Sequence, residues 1–424
     1  MNPLQFKDLL ISFTNEFLPL WNDKGSGARK SISLWRPSTS SDALSPFFSL
    51  GDIATDSYHN INQSKIVAVV SDANKVDGTA LRPPLDYELV WKDTGSGART
   101  NFSIWRPLPP EGYVAMGLVC GVGYDKPSRN AMRCVRADLV SPANVDELLW
   151  SDKGSRALTD FSAWTITPPR ALPGEINLAP GTFIGSESFN RPTLPAYALR
   201  VTLTTQLNEL PPPPTLTGYE PPTPTEASPT THVCELPWFT IRDPELSAVE
   251  QLQSSPLYRL ERTDRHLFTG FGHNSTATSQ PFMWTADKGE KGDNSRVLAF
   301  TSSLELGKEW PSRYRTFELN FSAQLGADFN HTQRSAKGWS YASPLEIITY
   351  ISAQKAVAAY VIHSEYRLLR QDGSQVSTTV SYISGDHIYM SEFPGAEPVR
   401  SDEPATQAEL EVAGHDLVYK TVTP

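Results

Sequence analysis

The chain has 424 residues, more than one ordinary hydrophobic core requires, so two domains are expected. Its 39% hydrophobic and 10% aromatic content are those of a folded protein and exclude disorder throughout. The formal charge of −10 argues against a nucleic-acid partner, because neutralising phosphates needs a basic face.

From the N-terminus, Leu4 to Leu20 is partly apolar, but Asp8 and Glu16 interrupt it and no small-residue cleavage site follows a basic start. No secretory signal is expected, nor a transmembrane helix, since no apolar run reaches the ~18 residues that one needs. A soluble chain follows, one that is released or exported to act at a target membrane.

One pattern then recurs three times with the same internal spacing. The copies are WNDKGSGARKSISLWRP from Trp21, WKDTGSGARTNFSIWRP from Trp91 and WSDKGSRALTDFSAWTI from Trp150. Each Trp is followed by Asp (Asp23, Asp93, Asp152), Gly (Gly25, Gly95, Gly154), Ser, Ala and a second Trp (Trp35, Trp105, Trp164) at matching offsets. The spacing predicts a hairpin: a strand ends near the first Trp, D-x-G-S turns with Gly at positive φ, and a second strand runs to the second Trp. Ile32 and Leu34 alternate with Ser33 and Trp35, and Phe102 and Ile104 with Ser103 and Trp105, as two-faced strands should. The six Trp residues are expected to share one role, core packing rather than sugar platforms. The Asp residues are read as turn formers rather than cation ligands, since calcium needs more oxygens than each loop offers; no metal site and no cofactor are expected.

A weaker echo follows each hairpin: FFSLGDIA from Phe47, GYVAMGLVC from Gly112 and GTFIGSESF from Gly181, with further strands at Lys65 to Val70 and Met132 to Leu139. About four strands per repeat suggest a closed pseudo-threefold architecture, because one open sheet of that size would leave faces and edges unprotected. The cysteines, Cys120, Cys134 and Cys234, are too few and scattered for a disulfide framework or a zinc site. Buried free thiols are the reading, with Cys120 facing Cys134 across one hairpin as the alternative.

The motifs W-x-D-x-G-S-G-A and WRP-x-PP-x-GY, clearest from Trp91 to Tyr113, with M-R-C-V-R-A-D-L-V from Met132, resemble the vacuolar-protein-sorting "sixty-two" family, related to multivesicular-body-associated β-prism domains. The resemblance covers about residues 15–205 and implies a β-prism fold. The third copy departs from it, with Arg156 in place of a Gly and Thr165 in place of the Arg of WRP.

Composition shifts at residues 209–232, which contain PPPPTLTGYEPPTPTEASPT and read as an extended, polyproline-like linker. An ordered strap across two packed domains is the alternative. The expected division is thus a three-repeat binding domain at 1–208, a linker at 209–232, a second β-rich domain at 233–395, and an acidic tail at 396–424. In the second domain, Ala356 to Arg370 and Val376 to Ile383 flank Gln371-Asp372-Gly373-Ser374, a strong hairpin signal.

Within it, Val297 to Leu325 reads as an amphipathic hairpin. Leu298, Phe300, Leu304 and Leu306 mark one face of the first arm, and Phe317, Leu319, Phe321, Ala323 and Leu325 one face of the second. Trp310 and Tyr314, residues of the membrane-interface type, lie in the connection. Ten residues at ~3.3 Å each, tilted by about 45°, cover roughly 23 Å, close to the ~25 Å apolar band of a membrane barrel. Alternation alone also fits an ordinary sandwich strand pair. Long Ser- and Thr-rich strands joined to a prism-like head resemble aerolysin-like β-pore-forming toxins, some of them insecticidal.

No G-x-S-x-G, H-E-x-x-H or phosphate-cradling loop occurs, so no enzyme is expected. His266 and His273 read as structural or surface residues. The function expected is an all-β, pore-forming, cytolytic protein. Its prism would bind a membrane surface receptor, a lipid or a glycan, and its second domain would form a homo-oligomer and insert; the need for a second protein component stays open. A non-lytic membrane-trafficking or lipid-associated adaptor is the alternative, and a lectin the third reading.

Overall fold

A computed structural model describes residues 3–74, 76, 79–223, 229–286, 319–326, 345–377 and 379–395. Among these the protein is all-β, as expected: every strand pairing is antiparallel, and the one α-helix is Ala248–Ser254, started by a capping box from Ser247 and Glu250.

The three repeats give three sheets of the same order. Phe17–Asn22 pairs with Ser33–Pro37 and then Ile53–Thr55; Asp86–Lys92 with Phe102–Leu108 and Val119–Val122; Val140–Ser151 with Ser162–Thr167 and Ile184–Ser186. Each first strand carries a register shift just before its Trp, between Pro19 and Trp21, Leu89 and Trp91, and Leu148 and Trp150. Such a bulge bends the strand and re-aims the next side chain. The echo segments meet between repeats, where Asp52 N–H donates to the Leu118 carbonyl at 2.9 Å and Leu118 N–H to the Phe183 carbonyl at 3.2 Å.

The third sheet extends furthest. Val140–Ser151 continues into a pairing with Ala196–Thr202, then Glu175–Leu178, and finally Phe321–Gln324, a strand that comes from far down the chain. That last strand lies on a core shared by both halves. Phe13, Ile176, Leu178 and Val201 from the repeats are buried with Trp238, Phe239, Leu260 and Phe321. Phe13 meets Trp238 and Phe239 edge-on, both at 5.5 Å between ring centres, and Phe239 meets Phe321 at 5.1 Å.

The C-terminal sheet runs Thr205–Leu207, His232–Pro237, Leu257–Asn274, Lys355–Leu369, Val380–Phe393. Leu257–Asn274 has 18 residues, which at ~3.3 Å each reach about 60 Å. The expected hairpin at Asp372-Gly373 is present, with Gly373 at φ +86°. The Pro-rich segment is tied at both ends, Asn208 N–H donating to the Thr231 carbonyl at 2.7 Å. Its residues 211–219 lie as a strap along this sheet: the Pro211 carbonyl is 3.1 Å from His266 Nε2, Leu216 N–H donates to Ser391 Oγ at 2.7 Å, and the Tyr219 ring lies 4.7 Å from that of His273 and meets Phe393 edge-on at 5.0 Å. Small residues Ala356 and Ala358 leave the space that Leu216 fills.

All three cysteines are buried free thiols, on separate strands or sheets. Burial pushes Cys134 up to about 12 and Cys234 to about 11, and holds Cys120 well above its ordinary value. They are poor nucleophiles at neutral pH.

Where the long sheet meets the helical turn, Arg370 donates Nε and Nη2 to the buried Asp243 carboxylate at 2.7 and 2.9 Å, and Tyr258 adds a hydroxyl donor at 3.0 Å. Burial pushes the Asp243 carboxyl up, but these hydrogen bonds, led by Arg370, outweigh it and leave the group below 3.8. A depressed carboxyl contributes stability at neutral pH that is lost as pH falls through the folded value. Arg370→Met should therefore lower the unfolding free energy by about 3 kcal/mol at neutral pH in urea titrations. It should also flatten the loss of stability on acidification below about pH 5.

Candidate functional site

The repeat turns are built alike. Asp23, Asp93 and Asp152 are buried, and each Oδ1 accepts the backbone N–H of the residue that opens the return strand: Ile32 at 3.0 Å, Phe102 at 2.8 Å and Phe161 at 2.9 Å. Each backbone carbonyl accepts from the Ser three residues on, at 2.8–2.9 Å. Burial raises the Asp93 and Asp152 carboxyls. Gly25, Gly95 and Gly154 have φ of +93°, +82° and +98°. A Cβ there would lie 3.0 Å from the Gly97 carbonyl oxygen, 2.9 Å from that of Arg156 and 3.1 Å from that of Gly27, so each turn abuts the next. One oxygen of each Asp carboxylate is thus occupied in closing its turn, and the second oxygen of Asp23 accepts from Trp150 Nε1 at 3.1 Å. Among the described residues no three His, Cys, Asp or Glu side chains cluster as a metal would require.

The first Trp of each copy closes the ring. Trp21 Nε1 donates to the Thr100 carbonyl of the second repeat at 2.9 Å, Trp91 to Thr159 of the third at 2.9 Å, and Trp150 to Lys30 of the first at 2.9 Å. All three are buried in one central core with Phe102, Phe161 and Phe183. The second Trp residues do not share this role, contrary to expectation. Trp35, Trp105 and Trp164 each anchor a separate outer core, because the strand alternation that sends Leu34, Ile104 and Ala163 inward sends them outward.

In the C-terminal half, Gln280–Ala286 pairs with Leu345–Ile351 and forms a two-stranded layer bracketing residues 287–344. Its inner face rests on the long strand, where Gly270 and Gly272 make room for Trp284 and Phe282; a Cβ at Gly270 would come within 2.1 Å of the Trp284 ring. Its outer face is open and mostly apolar, with Met283 63% exposed, Ile348 opposite it 45% and Tyr350 71%, and turns polar at the exposed pair Thr285 and Glu346. No polar alternation marks this layer in the sequence, because Pro281 and Met283 beside Phe282 and Trp284 are themselves apolar.

Of the expected membrane hairpin, Leu298, Phe300, Leu304, Leu306, Trp310, Tyr314 and Phe317 lie outside the described residues. Leu319, Phe321, Ala323 and Leu325 are described, and all face the shared core, while Asn320, Ser322 and Gln324 are half-buried on the other side. Among the described residues this strand is the last of the third repeat's sheet, with Phe321 opposite Leu178 and Gln324 opposite Glu175.

A buried polar cluster spans the long sheet, which no sequence pattern marks. Asp264 accepts from Arg262 Nε at 2.7 Å, Ser364 Oγ at 2.5 Å and Thr231 Oγ1 at 3.0 Å.

Comparison with known proteins bears out the family resemblance: residues 4–212 match the family described as vacuolar protein sorting-associated protein 62. No curated protein matches the chain. Among solved structures, GNIP1Aa from Chromobacterium piscinae shares 28% identity over 44% of this chain and 34% of its own, at a TM-score of 0.37. The chain thus spans about a third of that protein's length. Cry35Ab1 shares 10% identity over 92% of this chain and 91% of its own, at a TM-score of 0.36. Both likenesses are weak, and neither assigns an activity to this chain.

If the turns act by closing the ring, Gly95→Val should destabilise the protein by roughly 1–3 kcal/mol or more, through φ strain and collision with the Arg156 carbonyl. Asp93→Asn keeps the acceptor oxygen and should cost under about 1 kcal/mol, whereas Asp93→Ala orphans the Phe102 N–H and should cost about 1–3 kcal/mol. Melting curves that fall equally for Asn and Ala, or that shift on adding calcium, would point to a cation site instead.

Proposed function

We propose that this is a membrane-acting, pore-forming protein of toxin-like character. Its three repeats serve as a β-prism-like head that attaches to a surface, and its long-stranded C-terminal half is the part that oligomerises and inserts. The observation that carries the reading is the two-stranded layer Gln280–Ala286 with Leu345–Ile351. It is apolar on both faces over most of its length and held on a glycine-thinned strand, and it leads into residues 287–344, whose described strand is again two-faced. A layer with an open apolar face suits a second environment, oligomer or lipid, better than water. A non-lytic trafficking adaptor is the second reading, favoured by the description of the matching family; it predicts attachment to vesicles without leakage.

The test locks the strand Phe321–Gln324 in place. Glu175 and Gln324 are direct cross-strand partners, at a separation a disulfide spans, and the buried native thiols with raised pKa values do not compete. Glu175→Cys with Gln324→Cys, oxidised, should bind vesicles yet release no entrapped dye, and reduction should restore release. Dye release from the oxidised form would show that this strand stays in place during lysis. No release from the unmodified protein would leave the adaptor reading.

A further inference from the structure

The Pro-rich strap is held to the long sheet far more lightly than the strands of that sheet hold one another. Leu257–Asn274 and Lys355–Leu369 share a long antiparallel ladder. Residues 211–219, by contrast, pair with no strand among the described residues, and four of them are prolines that bring no N–H. Three hydrogen bonds among the described residues tie them down. His266 Nε2 donates to the Pro211 carbonyl, Leu216 N–H to Ser391 Oγ, and the Tyr219 hydroxyl to the Gln354 carbonyl, the last at 3.4 Å. Leu216 is the one buried side chain of the segment, while Pro212, Pro213, Thr215, Thr217 and Tyr219 are exposed.

The surface beneath Leu216 is apolar but incompletely satisfied. Leu216 is buried with Ala356, Ala358 and Tyr360, and Phe271, Tyr389 and Phe393 pack around them. Tyr360 is buried, yet its hydroxyl has no hydrogen-bond partner among the described residues, and neither has Nδ1 of His266, whose other ring nitrogen meets the strap. A buried polar atom left unpaired costs free energy that is recovered once water reaches it. Closing the strap therefore buries one leucine over an unpaired hydroxyl, and lifting it reverses both. The ends of the segment need not move, because Thr205–Leu207 is paired with His232–Pro237 and Asn208 with Thr231.

We propose that residues 211–219 form a releasable cover. Anchored at both ends, they lift from the long sheet of the folded protein and uncover the apolar face built on Ala356, Ala358 and Tyr360, and this opening precedes membrane insertion. The proposal rests on the membrane-acting reading and adds its regulation, because an uncovered apolar face favours a second apolar environment over water.

Amide hydrogen exchange of the full chain tests the opening. The Leu216 amide should exchange at least about tenfold faster than the amides paired between Leu257–Asn274 and Lys355–Leu369, since the strap opens without the sheet unfolding. Tyr360→Phe removes the unpaired hydroxyl and keeps the ring, so it should slow Leu216 exchange about fivefold and leave the ladder amides unchanged. Leu216→Ala should speed exchange of the strap by about tenfold or more with the melting temperature nearly unaltered. A Leu216 amide that exchanges only as slowly as the ladder, or that does not respond to Tyr360→Phe, overturns the proposal.

A lock separates the cover from the reading it rests on. The bond from Leu216 N–H to Ser391 Oγ brings the two Cα atoms within a disulfide's reach. Leu216→Cys with Ser391→Cys, oxidised, should attach to vesicles without releasing entrapped dye, and reduction should restore release. Where the reduced form also releases none, Leu216→Ala decides: faster release than from the unmodified protein upholds the proposal, and unchanged release overturns it. Dye release from the oxidised form overturns the cover's role and leaves the membrane-acting reading standing. No release from the unmodified protein removes that reading, and the exchange rates alone then decide whether the strap is releasable.

Discussion

The N-terminal half depends on a ring of three indole hydrogen bonds. A buried Trp N–H without a partner would be costly, and here each is met by a carbonyl of the next repeat rather than its own. The bond from Trp21 to Thr100 ties the first repeat to the second, that from Trp91 to Thr159 the second to the third, and that from Trp150 to Lys30 closes the circuit. No repeat satisfies the first Trp of its own hairpin, so none is complete alone. The Asp-Gly-Ser turns serve this closure, since the glycines carry no Cβ to collide with the carbonyls of the adjacent turn.

Much of this was legible in the sequence. Equal Trp, Asp and Gly spacing showed three equal hairpins, and the turn glycines have the dihedrals that D-x-G-S requires. What spacing did not reveal was direction across the ring: that the acceptor for each Trp lies nine residues further along, but in the neighbouring copy, is a tertiary fact. The same limit explains the second Trp. Its position in the repeat is constant, yet strand alternation turns Trp35, Trp105 and Trp164 away from the axis into three separate cores.

In the C-terminal half, strict alternation from Leu319 to Leu325 correctly marked a two-faced strand but could not name its neighbour. Period-two patterning reports that one face is buried, not against what. The neighbour is Glu175–Leu178 of the third repeat, more than a hundred residues earlier. The Pro-rich stretch illustrates the converse. Its composition speaks of an extended chain without ladder partners, and Leu216 and Tyr219 pin it to the long sheet through contacts no local pattern encodes.

These placements set an energetic condition on any motion of the strand Phe321–Gln324. Leu319, Phe321 and Leu325 are nearly fully buried, and at about 1.5–3 kcal/mol for each large apolar side chain their transfer to water would cost roughly 5–9 kcal/mol. That is comparable with the whole folding stability of a typical domain, about 5–15 kcal/mol. The strand therefore does not leave for water on its own. A departure requires a second apolar environment that takes up the same side chains, and an alternating strand is suited to one whose other face stays wet, as in the wall of a membrane barrel. The edge it would vacate, Glu175–Leu178, belongs to the sheet that continues through Val140–Ser151 into the third hairpin and Trp150. The strand and Trp150, one member of the ring, thus share one continuous hydrogen-bonded sheet, which is the physical route by which an event at the repeats would bear on the strand's hold.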